Sequence, residues 1–255
     1  MTIVAKFGGT SMATATSIRQ VASILNTNPQ RKICVVSAPG NIPGSDKMTD
    51  ALLHKRRQSY GRRTMSLLRE LNQGYQAQLV VLAKLLELES EQTDAARISF
   101  GEWLSAYLLA QVTGWRLVDA SEVIIFCNNT VQVNIVWEEH ERVIIPGFYG
   151  YDADTNTIKL FPRGGSDITA ALIAEKVQAD LCERWTDVSG VFNKDPRYYQ
   201  GAIHYARLTY PELLAVAEDT FQIFHPEGIT PLQMAQIPLR IMNTFAAHEP
   251  GTLIQ

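Results

Sequence analysis

The sequence has 255 residues, of which 46% are hydrophobic and 19% are charged, and its formal net charge at pH 7 is −3. A near-neutral chain of this length can bury a large core and lacks the strongly basic face of a dedicated nucleic-acid binder, and it has no run of 18 apolar residues that could span a membrane. Three widely spaced cysteines, Cys34, Cys127 and Cys182, exclude a disulfide scaffold and a CxxC metal site. Because the N-terminus also lacks the features of a signal peptide, we expect a cytoplasmic protein.

Short apolar runs alternate with longer amphipathic stretches along the chain. In the first 150 residues the pattern predicts strands at 2–7, 31–37, 116–119 and 143–146, and helices at 14–25 and 100–111, with two or three more between 51 and 91. In the remainder it predicts strands at 158–161, 180–186 and 239–243, and helices at 167–179 and 210–221. This alternation predicts one continuous α/β unit over residues 1–255, with a mainly parallel sheet covered on both faces.

Two glycine pairs stand where a helix is predicted to begin. The first lies in Lys6–Ser11, directly after the first strand, and the second lies in Arg163–Asp167. Glycines there let the backbone approach an anion, which the N–H groups of the following helix attract, and each pair has a cation beside it. Two such loops could hold both ends of a transferring phosphoryl group. The alternative is a pair of ordinary turns, with Ser11 as a helix cap and Asp167 as a first-turn acid.

Two further segments combine polar residues with a predicted element end. Trp185–Phe192 follows a predicted strand at the position where open α/β sheets place ligands. Glu102 lies within Ser99–Ser105, at the start of a predicted helix with apolar neighbours. A plain turn and an ordinary N-terminal helix acid are the alternatives.

Taken together, these segments form an ordered series along nearly the whole chain. The series is Lys6–Ser11, Val35–Ala38, Met48–Asp50, Ser99–Glu102, Pro146–Gly150, Arg163–Asp167, Trp185–Arg197, His225-Pro226, Ile237-Pro238, Asn243-Thr244 and Pro250–Thr252. In this order and spacing the chain resembles the catalytic domain of the aspartate kinases, within the amino acid kinase family.

The resemblance implies a three-layer α/β/α sandwich that transfers the γ-phosphoryl group of ATP to the side-chain carboxylate of L-aspartate, giving 4-phospho-L-aspartate and ADP. The N-terminal lobe, about residues 1–147, would bind the amino acid, and the C-terminal lobe, about 148–255, the nucleotide. Mg²⁺ is implied as the counter-ion of ATP, with no protein ligands assigned. Nucleic acid and membrane are not expected as partners, and a homodimer is compatible with the family.

The same resemblance assigns roles to single residues. It implies catalytic roles for Lys6 and Asp167. It implies contacts to ATP from Lys6, Gly8, Gly9, Ser11, Thr186, Asp187, Phe192, Arg197 and the position of Gln222. It implies contacts to the amino acid from Ser37, Thr49, Glu102, Arg163, Gly164, Gly165 and Ser166, with Arg163 on the α-carboxylate and Glu102 on the α-ammonium group.

The chain departs from the family pattern at several points. Gln222 stands where a lysine near the ATP phosphates is common, and Phe192 stands where a tyrosine is frequent. The sequence given stops at Gln255, where most aspartate kinases continue into regulatory ACT domains, so we expect a catalytic domain without its own feedback control.

These departures keep two alternatives open. One is a kinase for a related amino acid in a specialised pathway, because nothing in the sequence sets the side-chain length of the substrate. The other is a kinase-like ligand sensor with weak or no turnover. The basic residues at 54–57 and 62–63 are interpreted as a solvated helix face or a rim that attracts anions, and Trp137–Glu141 as a polar surface turn instead of a metal site.

Overall fold

A computed structural model of the chain describes residues 1–90, 93–219 and 226–255. Within them the helices are α1 (Ala15–Thr27), α2 (Met48–Leu53), α3 (Arg57–Glu70), α4 (Tyr75–Ser90), α5 (Asp94–Thr113), α6 (Ala120–Val123), α7 (Gly165–Lys176), α8 (Tyr210–Asp219) and α9 (Thr230–Met234). The strands are β1 (Ile3–Phe7), β2 (Arg31–Val36), β3 (Arg116–Leu117), β4 (Ile124–Cys127), β5 (Thr130–Val133), β6 (Val143–Pro146), β7 (Tyr149–Asp152), β8 (Thr157–Leu160), β9 (Leu181–Thr186), β10 (Val191–Phe192), β11 (His204–Tyr205), β12 (Arg207–Leu208), β13 (Leu239–Asn243) and β14 (Thr252–Ile254). Short 3₁₀ turns lie at Thr10–Met12 and Pro226–Gly228.

The main sheet has eight strands in the order β12-β14-β13-β9-β1-β2-β6-β3. From β13 through to β3 every neighbouring pair is parallel. At the other edge β14 pairs antiparallel with β13, and β12 pairs parallel with β14, so these two strands run opposite to the rest of the sheet. The central strands are β9, β1 and β2, and their continuous apolar runs suit strands that are covered on both faces. Because the central strands are parallel, their carboxyl ends lie along one edge of the sheet.

A second sheet, of four strands in the order β5-β4-β7-β8, and a small antiparallel pair of β10 and β11 complete the strand inventory of the described residues. Strand β8 was predicted, but it pairs antiparallel with β7 in this second sheet and is not part of the parallel one.

Alternate residues of the central strands point into two separate apolar cores. Val4, Ile33 and Val35 belong to the core that contains residues of helices α6 to α9 and of the second sheet. Phe7 and Val36 belong to the core formed with helices α1 to α5. The sheet is therefore the middle layer of an α/β/α arrangement, which confirms the predicted fold class.

Most of the long predicted elements agree with the structure to within a few residues, and the two or three helices expected between 51 and 91 are α2, α3 and α4. The helix predicted at 100–111 was placed too late: α5 begins at Asp94, so Glu102 lies in the middle of the helix and is not an acid of its first turn. The strand predicted at 116–119 is shorter, because Asp119 caps helix α6 by accepting a hydrogen bond from the Ser121 N–H at 2.9 Å. The end of the helix predicted at 210–221 lies outside the described residues. None of the described helices combines the length and apolar character needed to cross a membrane.

The interpretation of the basic residues as a solvated face is confirmed for 54–57, which are exposed, but wrong for Arg63. The side chain of Arg63 is buried and binds main-chain carbonyl groups. The turn at Trp137–Glu141 lies at the surface as predicted, with Glu138 and His140 exposed.

Candidate active site

A cleft of about 570 Å³ lies at the carboxyl edge of the main sheet, where the loops after β1, β2, β6 and β9 meet the first turn of α7. Main-chain hydrogen bonds hold these strand ends together: the Gly8 N–H donates to the Trp185 carbonyl at 3.2 Å, and the Ser37 N–H donates to the Phe7 carbonyl at 3.1 Å. This is the edge at which open parallel sheets bind ligands.

Two glycine-containing loops touch each other on one side of the cleft. The Gly40 N–H donates to the Gly9 carbonyl at 2.8 Å, and a Cβ atom on Gly40 would lie 2.4 Å from the carbonyl carbon of Gly9. Only glycine permits this approach, because any side chain at residue 40 would overlap the neighbouring main chain. The wall that results is main chain with little side-chain cover, which suits the binding of phosphate oxygens.

At the base of the cleft, one carboxylate lies between two cations. Lys6 on β1 and Arg184 on β9 are register partners, so their side chains leave the same face of the sheet side by side. Asp167, in the first turn of α7, accepts from Lys6 Nζ at 2.8 Å and from Arg184 Nε at 3.1 Å. The acid keeps two neighbouring like charges together and leaves the group with a net positive charge.

The pKa values follow from this arrangement. Burial acts to raise the pKa of the Asp167 carboxyl, but the charges of Arg184 and Lys6 outweigh it and hold the value at about 2. Burial lowers the pKa of Lys6, an effect that the Asp167 charge opposes and the Arg184 charge reinforces.

Glu102 enters the opposite side of the cleft from α5. Helix α5 packs closely on the loop after β2 because residue 101 is glycine. A Cβ atom there would lie only 2.8 Å from the Ala38 side chain. The Glu102 side chain is buried, and its Oε2 has no hydrogen-bond partner among the described residues. Burial raises the pKa of this carboxyl to about 8, against a smaller opposing effect of main-chain hydrogen bonds. A buried carboxylate with one oxygen left without a partner is a site for a cationic group of a ligand.

The loop before α7 supplies a cation and a helix N-terminus. Arg163 is exposed and lines the cleft, followed by Gly164, which adopts a left-handed conformation with φ of 87° and caps the helix. The N–H groups at the start of α7 add positive potential at the end of the cleft that Asp167 occupies.

Most residues assigned from the sequence line this one cleft: Lys6, Gly8, Gly9, Ser37, Thr49, Glu102, Arg163, Gly164, Gly165, Ser166, Asp167, Thr186 and Asp187. Arg197 lies at its margin, with a guanidinium nitrogen 3.8 Å from the Asp187 carboxylate and a stronger pair to Asp195 at 2.9 Å. Phe192 is not part of the cleft lining, and its ring packs 5.0 Å from His204 between β10 and β11. Gln222 lies outside the described residues.

Ser11 is placed differently from the expectation. Its side chain is fully buried, and its Oγ lies 2.7 Å from Oγ1 of Thr244. The contact of Ser11 to ATP stays a prediction, whereas its alternative role as a helix cap is wrong, because Thr14 caps α1 by accepting from the Ser17 N–H at 3.1 Å. The side chain of Ser11 therefore links the first loop to Thr244, the residue that follows β13.

Several residues of the cleft were not predicted from the sequence, and Arg184 is the most important of them. It lies within a predicted strand, and only its register opposite Lys6 reveals that it faces the cleft. Thr10, Ala38, Pro39, Gly40, Asn41, Lys47 and Phe148 complete the set that was not assigned. The positive charge of Lys47 and Arg184 could have suggested an anion-binding role. The sequence alone, however, does not show that their side chains face the cleft.

The carboxylates around the cleft determine how it could accommodate Mg²⁺. Among the described residues no three His, Cys, Asp or Glu side chains converge as a metal cage. Asp167 is engaged by two cations, whereas Asp187 is exposed at the margin. This donor set fits an ion carried chiefly by nucleotide phosphates with one carboxylate nearby, which is the usual way that Mg²⁺ binds in kinases.

The sequence profile of the amino acid kinase family matches residues 1–243 of the chain. The chain therefore belongs to this family.

Within this family, the chain is similar to proteins named aspartokinase or aspartate kinase. The chain is 30% identical to aspartokinase 3 of Bacillus subtilis, over 98% of this chain and 63% of that protein. The crystal structure of aspartate kinase from Clostridium acetobutylicum matches with a TM-score of 0.87 at 30% identity, over 99% of this chain and 62% of that one. Aspartokinase III of E. coli, solved in complex with aspartate and ADP, shares the fold, with a TM-score of 0.80 at 21% identity over 100% and 64% of the two chains. The chain thus spans somewhat less than two thirds of the length of these relatives.

Proposed function

We propose that this chain transfers the γ-phosphoryl group of ATP to the side-chain carboxylate of L-aspartate, giving 4-phospho-L-aspartate and ADP. The observation that carries the proposal is the presence, in one cleft, of a buried Glu102 carboxylate with one unpartnered oxygen and a cationic group formed by Lys6, Asp167 and Arg184. The first suits an ammonium group and the second suits phosphate. The similarity to proteins named aspartokinases supports the same assignment.

The chemistry needs charge more than it needs a base. An aspartate side chain is already ionised at neutral pH, so no residue has to remove a proton from it. The difficulty is that one anion must approach another, and catalysis rests on positioning and on positive charge around the moving group. Lys6 and Arg184, held side by side by Asp167, supply that charge in a fixed geometry.

The amino acid is held through its two α-substituents in this proposal. Glu102 accepts hydrogen bonds from the α-ammonium group, and Arg163 pairs with the α-carboxylate. Ser37 and Thr49, which line the same side, contact the bound amino acid. Holding both α-groups leaves the side-chain carboxylate free to point toward the cations at the base.

The nucleotide occupies the rest of the cleft. The main chain at Gly8 and Gly9 and the start of α7 face its phosphates, and Thr186 and Asp187 reach the ribose and base region. Mg²⁺, bound to the phosphates, would neutralise part of their charge. A cytoplasmic location and a homodimer remain predictions.

The test is ADP release by the purified protein with Mg-ATP across L-aspartate, L-glutamate and related amino acids, with hydroxylamine present to trap an acyl phosphate. A hydroxamate formed with aspartate alone is the expected result, and Lys6→Ala is the control that should abolish most of it. Turnover only with another amino acid would replace aspartate as the substrate. Binding of ATP or an amino acid without any ADP release would reject the kinase in favour of a ligand sensor.

A further inference from the structure

One guanidinium group outside the cleft holds the main chain that forms one of its walls. Arg63 extends from α3, and its side chain is only 6% exposed. Its Nη1 donates to the Asp46 carbonyl at 3.0 Å, and its Nη2 donates to the carbonyls of Gly40 and Ala13. The three acceptors come from two separate stretches of chain.

The two stretches are parts of the cleft wall. We call residues 40–47 the wall loop: Gly40, Asn41 and Lys47 of this loop line the cleft, and helix α2, which follows it, brings in Thr49. Ala13 follows the 3₁₀ turn that continues the Gly8–Gly9 loop. Arg63 therefore binds both ends of the wall loop and the segment that follows the phosphate-facing glycines.

The wall loop has little structure of its own. It contains no helix or strand, and Asn41, Pro43, Gly44 and Lys47 are exposed. Its main-chain hydrogen bonds include Gly40 N–H to Gly9 and Ser45 N–H to Ile42, and the ion pair of Arg56 with Asp46 is largely exposed, so it contributes little. The Arg63 guanidinium, by contrast, is buried and binds the loop at two main-chain carbonyls.

Burying a charged group costs desolvation free energy, and neutral carbonyl groups compensate this cost less well than an opposite charge would. Burial lowers the pKa of Arg63, and its Nε has no hydrogen-bond partner among the described residues. An apolar side chain of similar volume would cost less to bury. The planar fork of a guanidinium, however, can bind several carbonyls at fixed angles, which neither an apolar side chain nor lysine can do.

We propose that Arg63 is a positioning residue that fixes the wall loop in the shape needed to bind the amino acid. The proposal rests on the function proposed above, since it assigns the wall loop to that same cleft. Displacing a wall by about 1 Å can cost about a hundredfold in rate. We expect Arg63→Met to lower kcat/KM for the amino acid about 10- to 100-fold, mainly through KM, and Arg63→Lys to recover part of the loss.

The experiment combines kinetics with hydrogen–deuterium exchange of the ligand-free protein. Arg62→Met is the matched control, because Arg62 directly precedes Arg63 on the same helix, is exposed and donates to the Gln58 carbonyl one turn away. In Arg63→Met we expect amides of residues 38–48 to exchange about tenfold faster or more, while those of β1 and α1 keep the rate of the unmodified protein. Arg62→Met should change neither exchange nor KM.

The outcomes separate this proposal from the proposed function. Unchanged exchange at 38–48 in Arg63→Met, or acceleration spread evenly over the chain, would overturn the positioning role whatever the substrate is. If the unmodified protein turns over no amino acid, the function fails, while selective loosening of residues 38–48 still supports the positioning role. Where Arg63→Met does not fold, Arg63→Lys carries the same comparison with a smaller expected effect.

Discussion

Two buried glutamates show how the same side chain serves stability in one place and a ligand in another. Glu183 on β9 is 3% exposed and Glu102 on α5 is 4% exposed, so their burial is almost equal. Glu183 accepts from Arg31 Nε at 2.7 Å, from Arg31 Nη2 at 3.2 Å and from Trp185 Nε1 at 2.9 Å. Glu102 has an oxygen with no partner among the described residues, and it lines a cleft.

The difference lies in which atoms complete the hydrogen bonding. The partners of Glu183 are built into the chain, so its charge is balanced in every state of the folded protein. Glu102 is balanced only when a proton or a ligand cation arrives, and for this reason its pKa is raised to about 8 by burial. Breaking the first site should therefore harm folding, whereas changes at the cleft should harm binding and turnover.

The largest effect is expected from Arg31→Met. It removes both guanidinium hydrogen bonds from Glu183 and leaves a buried carboxylate with Trp185 as its remaining donor. Breaking one side of a buried ion pair costs about 3–5 kcal/mol of the free energy of unfolding. Urea denaturation measures this loss, and the double variant Arg31→Met/Glu183→Gln should regain part of it. A loss below about 1 kcal/mol would contradict the structural role of the pair.

The next effect is on turnover at the cleft. Lys6→Ala should lower kcat by roughly 10²–10³, equivalent to about 3–4 kcal/mol, because a charge that stabilises the moving phosphoryl group is lost. The fold should survive, since Arg184 still pairs with Asp167. Steady-state kinetics test this against Lys176→Ala, an exposed lysine at the other end of α7. Near-normal turnover in Lys6→Ala would remove Lys6 from the catalytic assignment.

Glu102→Gln should separate binding from stability. Loss of a charged hydrogen bond to the α-ammonium group is worth about 1.5–3 kcal/mol, so kcat/KM for the amino acid should fall about 10- to 100-fold. The change also removes a buried carboxyl that resists ionisation, so the ligand-free variant should be more stable than the unmodified protein at pH 8. A less stable variant at that pH would show that Glu102 has a structural partner like that of Glu183.

The raised pKa of Glu102 also predicts how the stability of the protein changes with pH. Glu102 has a pKa of about 8 in the folded chain, against an ordinary value near 4.5 when unfolded. Between these values the folded protein binds the proton and the unfolded chain does not, so its contribution to the free energy of unfolding falls as pH rises from about 4.5 to 8. Thermal denaturation at pH 5 to 9 should show this decline for the unmodified protein and a flatter profile for Glu102→Gln.

The smallest effect is expected from Arg163→Lys. Lysine keeps the charge but loses the two-pronged geometry that suits a carboxylate. We expect KM for the amino acid to rise about tenfold with kcat little changed, because Arg163 is exposed and its loss does not affect the core. An unchanged KM would place the α-carboxylate elsewhere in the cleft.

The sequence predicted the elements that have a strong periodic pattern. Strands β1, β2 and β9 are continuous apolar runs, and α1 has regularly spaced apolar residues, so burial on the sheet makes their pattern unmistakable. In the second sheet β8 was predicted, whereas β4, β5 and β7 were missed, although all four strands are four residues long. So short a segment carries few residues for period-two alternation, and its prediction from sequence is therefore uncertain in either direction.

For the candidate site, the sequence identified the residues near glycine loops and element ends, but not those that reach the cleft from elsewhere. Arg184 looked like one residue of a strand, and Arg63 looked like part of a solvated basic face. Both are revealed only by packing: Arg184 by its register opposite Lys6, and Arg63 by the carbonyls that surround it.

The sequence by itself determined the α/β alternation, the loops that carry Lys6, Glu102 and Asp167, and the resemblance to the aspartate kinases. These follow from local properties, namely periodic burial, glycine at strand ends and the order of short motifs. The tertiary structure decided which charges meet. It places Asp167 between Lys6 and Arg184 and pairs Glu183 with Arg31, and it leaves one oxygen of Glu102 without a partner among the described residues. Charge pairing depends on distance in space, and no spacing along one chain fixes that distance before the sheet has formed.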